Sequence, residues 1–193
     1  MPTMDPKTIL ETERLILREM SEADVEPLLR VLGDPVAMRY YPAPYTREGV
    51  EGWVQRSQER YRTLGFGLWA VVLKETGEVI GDCGLTLQTV LGREELEIGY
   101  HIHRGHQGKG FATEAARACL EWGFRNTSCG RIISLMNVEN LPSRRVAEKV
   151  HARFLGECGE RAGLPHVYYG TERMEFLSHP AVRAGSRVNE SPP

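Results

Sequence analysis

The stretch Glu97–Phe124, EIGYHIHRGHQGKGFATEAARACLEWGF, changes its period in the middle. With Leu96 in front of it, the first part alternates: Leu96, Ile98, Tyr100 and Ile102 fall on one side and Glu97, Gly99 and His101 on the other, which predicts a strand. The last part sets Phe111, Ala115, Ala118, Cys119 and Trp122 on one stripe. Glu114, Arg117, Glu121 and Arg125 take the opposite face, which predicts an amphipathic helix lying on a sheet. Between the two, Gly108, Gly110 and the small Ala112 let the backbone turn sharply, so that successive N–H groups converge at the positive end of the helix dipole. Such a nest holds phosphate or pyrophosphate, although a tight turn without a ligand can be written in the same letters.

Two nucleotide-binding motifs compete for this elbow. A Walker loop fails, because Gly105 is too close to Gly108 and Lys109 is followed by Gly110 rather than Ser or Thr. A Rossmann fingerprint lacks its third glycine, Thr113 standing in that place, and the chain is short for a full dinucleotide fold. Glu139 does close the next strand where a ribose-binding acid would stand.

Working outward, RLILREM (Arg14–Met20) alternates like a strand, and Ser21 opens the acidic first turn of a helix over SEADVEPLLRVL. After the connection DPVAMRYYPAPYT, the run REGVEGWVQRSQERYRTL carries apolar residues at helical spacing. FGLWAVVL and VIGDCGLTL, joined by KETGE, form a hairpin, and LEIGYHI makes a third consecutive antiparallel strand. Downstream, RIISLM is a strand, NLPSRRVAEKV a helix, and HARFLGEC with HVYYGTERMEF the last strands. The expected fold class is α/β (α+β): one domain over 1–177, with a mixed, mostly antiparallel twisted sheet and helices on both faces. The tail from 178 to 193 is expected to be flexible.

The 193 residues are 41% hydrophobic and 26% charged, with a net charge of -2. That leaves no global basic field for nucleic acid or an anionic membrane. The N-terminus lacks a signal-peptide core, and LGFGLWAVVL is too short to span a bilayer, so a cytoplasmic protein is expected. Cys83, Cys119, Cys129 and Cys158 show no paired spacing and read as reduced, mostly packed thiols. His101, His103 and His106 invite a metal reading, but no carboxylate or cysteine completes a tetrahedral set, and no metal is expected. The expected partners are small molecules or a short peptide, with no direct nucleic acid and no membrane. The chain is expected to be a monomer or a homodimer.

HQGKGFATEA, preceded by ELEIGYHI and followed by ISLMNVENLPSRRVAEKV, resembles the acyl-CoA-binding motif of the GNAT N-acetyltransferase superfamily. TERLILREMSEADVEPLL and NLPSRRVAEK are similar to the branch containing the ribosomal-protein N-terminal (RimJ/RimL-type) acetyltransferases, and the likeness runs from about Glu13 to Phe176. The resemblance implies acetyl-CoA as cosubstrate, its pyrophosphate on the backbone of Gln107, Gly108, Lys109, Gly110, Phe111, Ala112 and Thr113. It implies that pantetheine pairs with the strand end His101, Ile102 and His103, in a notch between two splayed parallel strands. Asn140 matches the family asparagine that bonds pantetheine, and on its own letters it reads equally as a helix N-cap.

Acetyl transfer needs a neutral amine and a departing thiolate. An α-amine titrates at about 8 and a lysine amine roughly 2–3 units higher, so a weak base acting through water suffices for an N-terminal acceptor. Glu97 is the candidate base, with Glu95 a less well placed substitute, and a solvated strand residue is the plain reading of either. Family members with a tyrosine acid carry it in the helix after the asparagine, where this chain has Ala147; Ser143 fits the Asn-x-x-Ser pattern of the ribosomal branch instead. Tyr40, Tyr41, Tyr45, Trp53, Trp69, Tyr168 and Tyr169 supply aromatics for either the core or an acceptor slot. The implied activity is transfer of an acetyl group to a primary amine. The acceptor is a protein N-terminus or a small amine such as an antibiotic, polyamine or amino acid; a non-catalytic acyl-CoA-binding module is the alternative.

Overall fold

Short connections force antiparallel neighbours, whereas a helix between two strands allows a parallel return, and both rules are at work in this chain. The computed structural model describes residues 6–178. Strands β1 (Thr8–Glu11) and β2 (Leu15–Arg18) lead to α1 (Val25–Leu32) and α2 (Arg47–Leu64). Then come β3 (Leu68–Leu73), β4 (Val79–Val90) and β5 (Arg93–Ile102). Helix α3 (Phe111–Asn126) crosses to β6 (Arg131–Asn137), followed by α4 (Leu141–Val150), β7 (Arg153–Arg161), β8 (Leu164–Glu172) and α5 (Arg173–Ser178). One sheet has the order β1-β2-β3-β4-β5-β6-β8-β7, and within it only β5 and β6 pair in parallel.

Alternation assigns the two layers. Trp69 and Val71 of β3 turn toward α3 and join a core with Phe111, Ala115, Cys119 and Phe124. Leu68 and Ala70 turn the other way, onto Leu28 and Leu32 of α1 and Val50 and Val54 of α2. Helices therefore cover both faces, as the sequence predicts. Two elements depart from the reading. Thr8–Glu11 pairs as an edge strand too short for its four letters to announce. Met174–Phe176, expected as strand, lies in α5, because Arg173 spends its guanidinium on the carbonyls of Phe124, Thr127 and Cys129 and ends the ladder there. Cys83 and Cys119 are buried and Cys129 and Cys158 half-buried, all as free thiols. Residues 179–193, most of the expected tail, lie outside the described residues.

The parallel pair is short-lived. Its register runs Leu96↔Ile132 and Glu97↔Ile133 and stops there, although β5 continues to Ile102 and β6 to Asn137. Beyond that point β5 keeps its partner β4, through Gly81↔Ile102, and β6 keeps β8, through Asn137↔His166. The strands part because each is held on its outer side only.

A chain of polar groups fixes the parting point. Ser134 Oγ donates to Ile98 O at 2.8 Å, the first carbonyl past the last paired residues. His151, at the end of α4, places Nε2 3.0 Å from Ser134 Oγ and Nδ1 3.3 Å from Thr171 Oγ1, which accepts from Ala152 N. With Ser134 Oγ donating to Ile98 O, Nε2 donates to Ser134 Oγ, and in the neutral ring Nδ1 accepts from the Thr171 hydroxyl. Burial pushes the His151 pKa down to about 4 from 6.5. A depressed histidine pKa means that the unfolded chain binds the extra proton first, so the contribution is full above pH 6.5 and is lost as pH falls toward 4. At about 1.4 kcal/mol per unit this comes to about 3 kcal/mol. Urea unfolding midpoints measured across that window should fall more steeply for the wild type than for His151→Gln, whose amide keeps a donor and an acceptor without titrating; equal slopes would remove His151 from this role.

Candidate active site

The elbow after β5 is built from the turn Arg104–His106, then Gln107 in extended conformation, then Gly108 and Gly110 with φ of 76° and 86°. Both angles lie where a Cβ costs energy, so these two positions require glycine if the turn is to keep its shape. Gly110 is the N-cap of α3 and has no side chain to accept from the first turn of the helix, so those N–H groups face outward. The elbow is tied down from the far edge of the sheet. Arg14 donates through Nη1 to Lys109 O at 3.0 Å, while its Nε and backbone N reach Glu114 at 2.7 and 2.9 Å, and Thr12 Oγ1 donates to the same carboxylate at 2.6 Å. These contacts hold the start of α3 against the β1–β2 turn.

Gly108, Gly110, Phe111, Ala112 and Thr113 line a cavity of 390 Å³. Its cationic lining, Arg39, Arg104, Arg145 and Lys149, meets no Asp or Glu among the described lining residues. A chain of net charge -2 thus presents a locally positive cleft beside outward N–H groups, a good match for an anionic, phosphate-bearing ligand. The sequence reading named none of these cations; Arg145 and Lys149 sit one turn apart on α4, a spacing that marks one helix face without saying that the face looks into a cleft.

The other residues of the predicted set fall as follows. Gln107 is in the lining, yet its Nε2 donates back to Ile102 O at 2.9 Å and braces the elbow against β5. Lys109 contributes its carbonyl to Arg14. His103 N donates to Ile80 O at 2.8 Å, and because backbone groups alternate along a strand, His101 and His103 turn theirs toward β4. The edge of β5 that faces the notch is therefore presented by Tyr100 and Ile102, not by the two histidines. Asn140 caps α4, its Oδ1 accepting from Ser143 N at 3.2 Å. The cap reading of that residue is realised. Tyr100 Oη donates to Ser143 O at 2.8 Å and ties β5 to the first turn of α4.

A second cavity, of 280 Å³, opens on the opposite side of the notch. It shares Tyr40, Tyr41, Tyr100, His101, Asn140 and Ser143 with the first. Glu97 lines only the second, and it is the one carboxylate among that cavity's described lining residues, with Arg161 and His166 beside it. Glu97 is 9% exposed and accepts from Thr86 Oγ1 at 3.1 Å. Burial raises its pKa above the ordinary carboxylate range, against the opposing pull of Thr86 and Arg161. Glu95 is otherwise engaged: Arg131 pairs with it through Nε at 3.2 Å and through Nη2, away from both cavities.

Residues far apart in sequence meet in the wall between the cavities. Asp82 of β4, fully buried, accepts from Trp53 Nε1 at 2.7 Å and stands 2.7 Å from His101 Nδ1. On the other side of that ring, His101 Nε2 is 2.7 Å from the hydroxyl of Tyr41. No group of three or more metal-ligating side chains occurs among the described residues, and no described helix is long and apolar enough to cross a membrane.

Two strands that part beside a glycine elbow at a helix start, with a cavity on each side, define an acyltransferase cleft. The profile of the acetyltransferase (GNAT) domain matches residues 14–153. YkkB of Bacillus subtilis strain 168 is 39% identical over 148 residues, covering 76% of this chain and 86% of its own. A GNAT-family acetyltransferase from Bacillus anthracis matches the structure with a TM-score of 0.73 at 27% identity, over 86% of this chain and 99% of that one. RimL, a ribosomal alpha-N-protein acetyltransferase solved in complex with coenzyme A, shares the fold with a TM-score of 0.72 at 19% identity, over 86% and 98% of the two chains. This chain belongs to the GNAT family and is an N-acetyltransferase.

The elbow geometry makes a direct prediction. Replacing Gly110 by Ala forces a side chain into a left-handed conformation at a cost of about 1 kcal/mol and turns the first N–H groups of α3, so coenzyme A affinity measured by calorimetry should fall on the order of tenfold. Unchanged affinity would mean that the elbow does not grip the ligand.

Proposed function

We propose that the acceptor is the α-amine of a peptide or protein N-terminus, which attacks the thioester directly from the 280 Å³ cavity with Glu97 as its base. The observation that carries this reading is the charge of that cavity. Its one carboxylate suits one ammonium group, and Arg161 beside it disfavours a polycation. An aminoglycoside or a polyamine carries several ammonium groups and calls for several acids. A carboxylate raised by burial is also a fitting base for an α-amine, which titrates at about 8, and a poor one for a lysine amine roughly 2–3 units higher.

The residues take separate roles in this proposal. Glu97 receives the ammonium proton, directly or through one water, and returns it to solvent. The N–H groups from Gln107 to Thr113 hold the diphosphate of the donor, with Arg104, Arg145 and Lys149 supplying charge around it. The notch edge of β5 at Tyr100 and Ile102 pairs with the pantetheine arm, and Asn140 closes the notch from α4. Ser143, which lines both cavities, offers its hydroxyl to the departing sulfur.

The test is a panel of peptides with free and blocked N-termini, set against polyamines, aminoglycosides and free amino acids, with thiol release from acetyl-CoA as readout. Free peptide α-amines should be turned over and blocked ones not; turnover confined to polyamines or aminoglycosides would overturn the assignment. Glu97→Gln should lower kcat on the order of 10²-fold and abolish the acidic limb of its pH profile, because the base works only above its raised pKa.

A further inference from the structure

We infer that Tyr41 is a catalytic residue, the group that protonates the departing thiolate, and that His101 and Asp82 are positioning residues that keep it supplied with a proton. The geometry is a continuous chain from buried carboxylate to cleft. Trp53 Nε1, Asp82, His101 and the Tyr41 hydroxyl are joined by three contacts of 2.7 Å each. Trp53 packs edge-on to the His101 ring at 5.6 Å between centroids, and Tyr41 lies against the same ring at 5.6 Å. The imidazole thus has its two nitrogens committed and its orientation set from three sides. At the inner end Asp82 is 0% exposed, a location where an unpaired carboxylate would be costly. At the outer end Tyr41 keeps 38% of its surface exposed and lines both cavities, where the donor and acceptor sides meet. Glu97 lines the acceptor cavity alone, so of base and acid only the acid also reaches the donor side.

The proton balance closes. The amine nitrogen forms its bond to the thioester carbonyl carbon, the carbon–sulfur bond breaks, and the electron pair leaves on sulfur. Tyr41 gives its hydroxyl proton to that sulfur and takes the Nε2 proton of the His101 imidazolium. His101 is left neutral, with its Nδ1 proton still held by Asp82, and solvent restores the lost proton. The proton that the attacking nitrogen sheds as it becomes the amide leaves by Glu97. Desolvation works against a charged His101, but the charge and hydrogen bond of Asp82 and the field of Glu97 outweigh it, and its pKa is raised. Tyr41 by itself is a poor acid, since desolvation and the charges of Glu97 and Asp82 push its pKa up. A thiol titrates at about 8.5, so the imidazolium is the effective acid and the phenol its conduit. The groups facing the His101 ring are Asp82 from β4, Glu97 from β5, Tyr41 from the α1–α2 connection and uncharged Trp53 from α2.

The experiment uses the full chain with acetyl-CoA and hydroxylamine, a small nucleophile that is neutral at neutral pH and does not depend on acceptor recognition. A wrong acceptor assignment therefore cannot mask the result. Tyr41→Phe is expected to lower kcat about 10²-fold, to leave coenzyme A affinity unchanged by calorimetry, and to flatten the alkaline limb that the wild type shows as His101 loses its proton. His101→Gln should do the same, while Ser143→Ala keeps the limb. Independently of turnover, ring-nitrogen NMR should show His101 protonated on both nitrogens at neutral pH, and Asp82→Asn should move that titration to lower pH. The proposal is overturned if Tyr41→Phe keeps the wild-type kcat and alkaline limb, if the wild-type ring is neutral at neutral pH, or if the wild type releases no thiol above buffer.

Discussion

The site depends on one missing set of hydrogen bonds. β5 and β6 pair through Glu97↔Ile133 and no further, so the next residues of β5 carry an unpaired edge in the middle of a sheet. Unpaired strand edges are normally confined to the rim, where they are covered or blunted. Here the opening is held by structure on both sides: β4 and β8 keep their ladders, and His151 and Ser134 fasten Ile98 O where the split begins. A split secured in this way presents fixed N–H and C=O groups to an extended, amide-bearing ligand. The fold thereby gains a binding edge without exposing one on its perimeter.

Electrostatics then gives the two sides of the split opposite characters. The elbow side gathers cations from the elbow, from α4 and from the connection after α1, with no described acid in its lining. The other side holds one carboxylate among its described lining residues, the buried Glu97, with Arg161 also in the lining. Net charge conveys neither feature. A protein at -2 can hold a diphosphate because the field near a low-dielectric cleft is set by the few charges that line it. Between the sides stands a wall of polar aromatic residues, Tyr40, Tyr41, Tyr100 and His101, in which the Tyr100 hydroxyl donates to Ser143 O and the Tyr41 hydroxyl meets the His101 ring.

Much of the architecture is legible in the letters because it rests on local rules. The alternation of LEIGYHI, the helical stripe of Phe111–Trp122 and the glycines at 108 and 110 each fix backbone conformation within a few residues. Glu97 could be singled out by its place in that alternation, but the letters do not tell a solvated face from a cavity wall. What was not legible has the same cause throughout. Glu95 and Glu97 share a strand face, and only the arrival of Arg131 from the neighbouring strand separates their fates. His101 and His103 were legible as strand-end residues, but which edge their backbone faces depends on the register against β4.

The sequence by itself determined the sheet-and-helix order, the glycine elbow and the family resemblance, since all three are written in contiguous segments whose geometry is set by backbone sterics and periodicity. Only the tertiary structure decided how Tyr41, Asp82 and His101 meet. They lie on a connection, a hairpin strand and the strand after it, and their contacts exist only once β4 and β5 are in register and α2 has laid Trp53 across them. Long-range side-chain contacts follow from packing, which no single stretch of the chain encodes, and for that reason the polar chain at the centre of the cleft comes into view last.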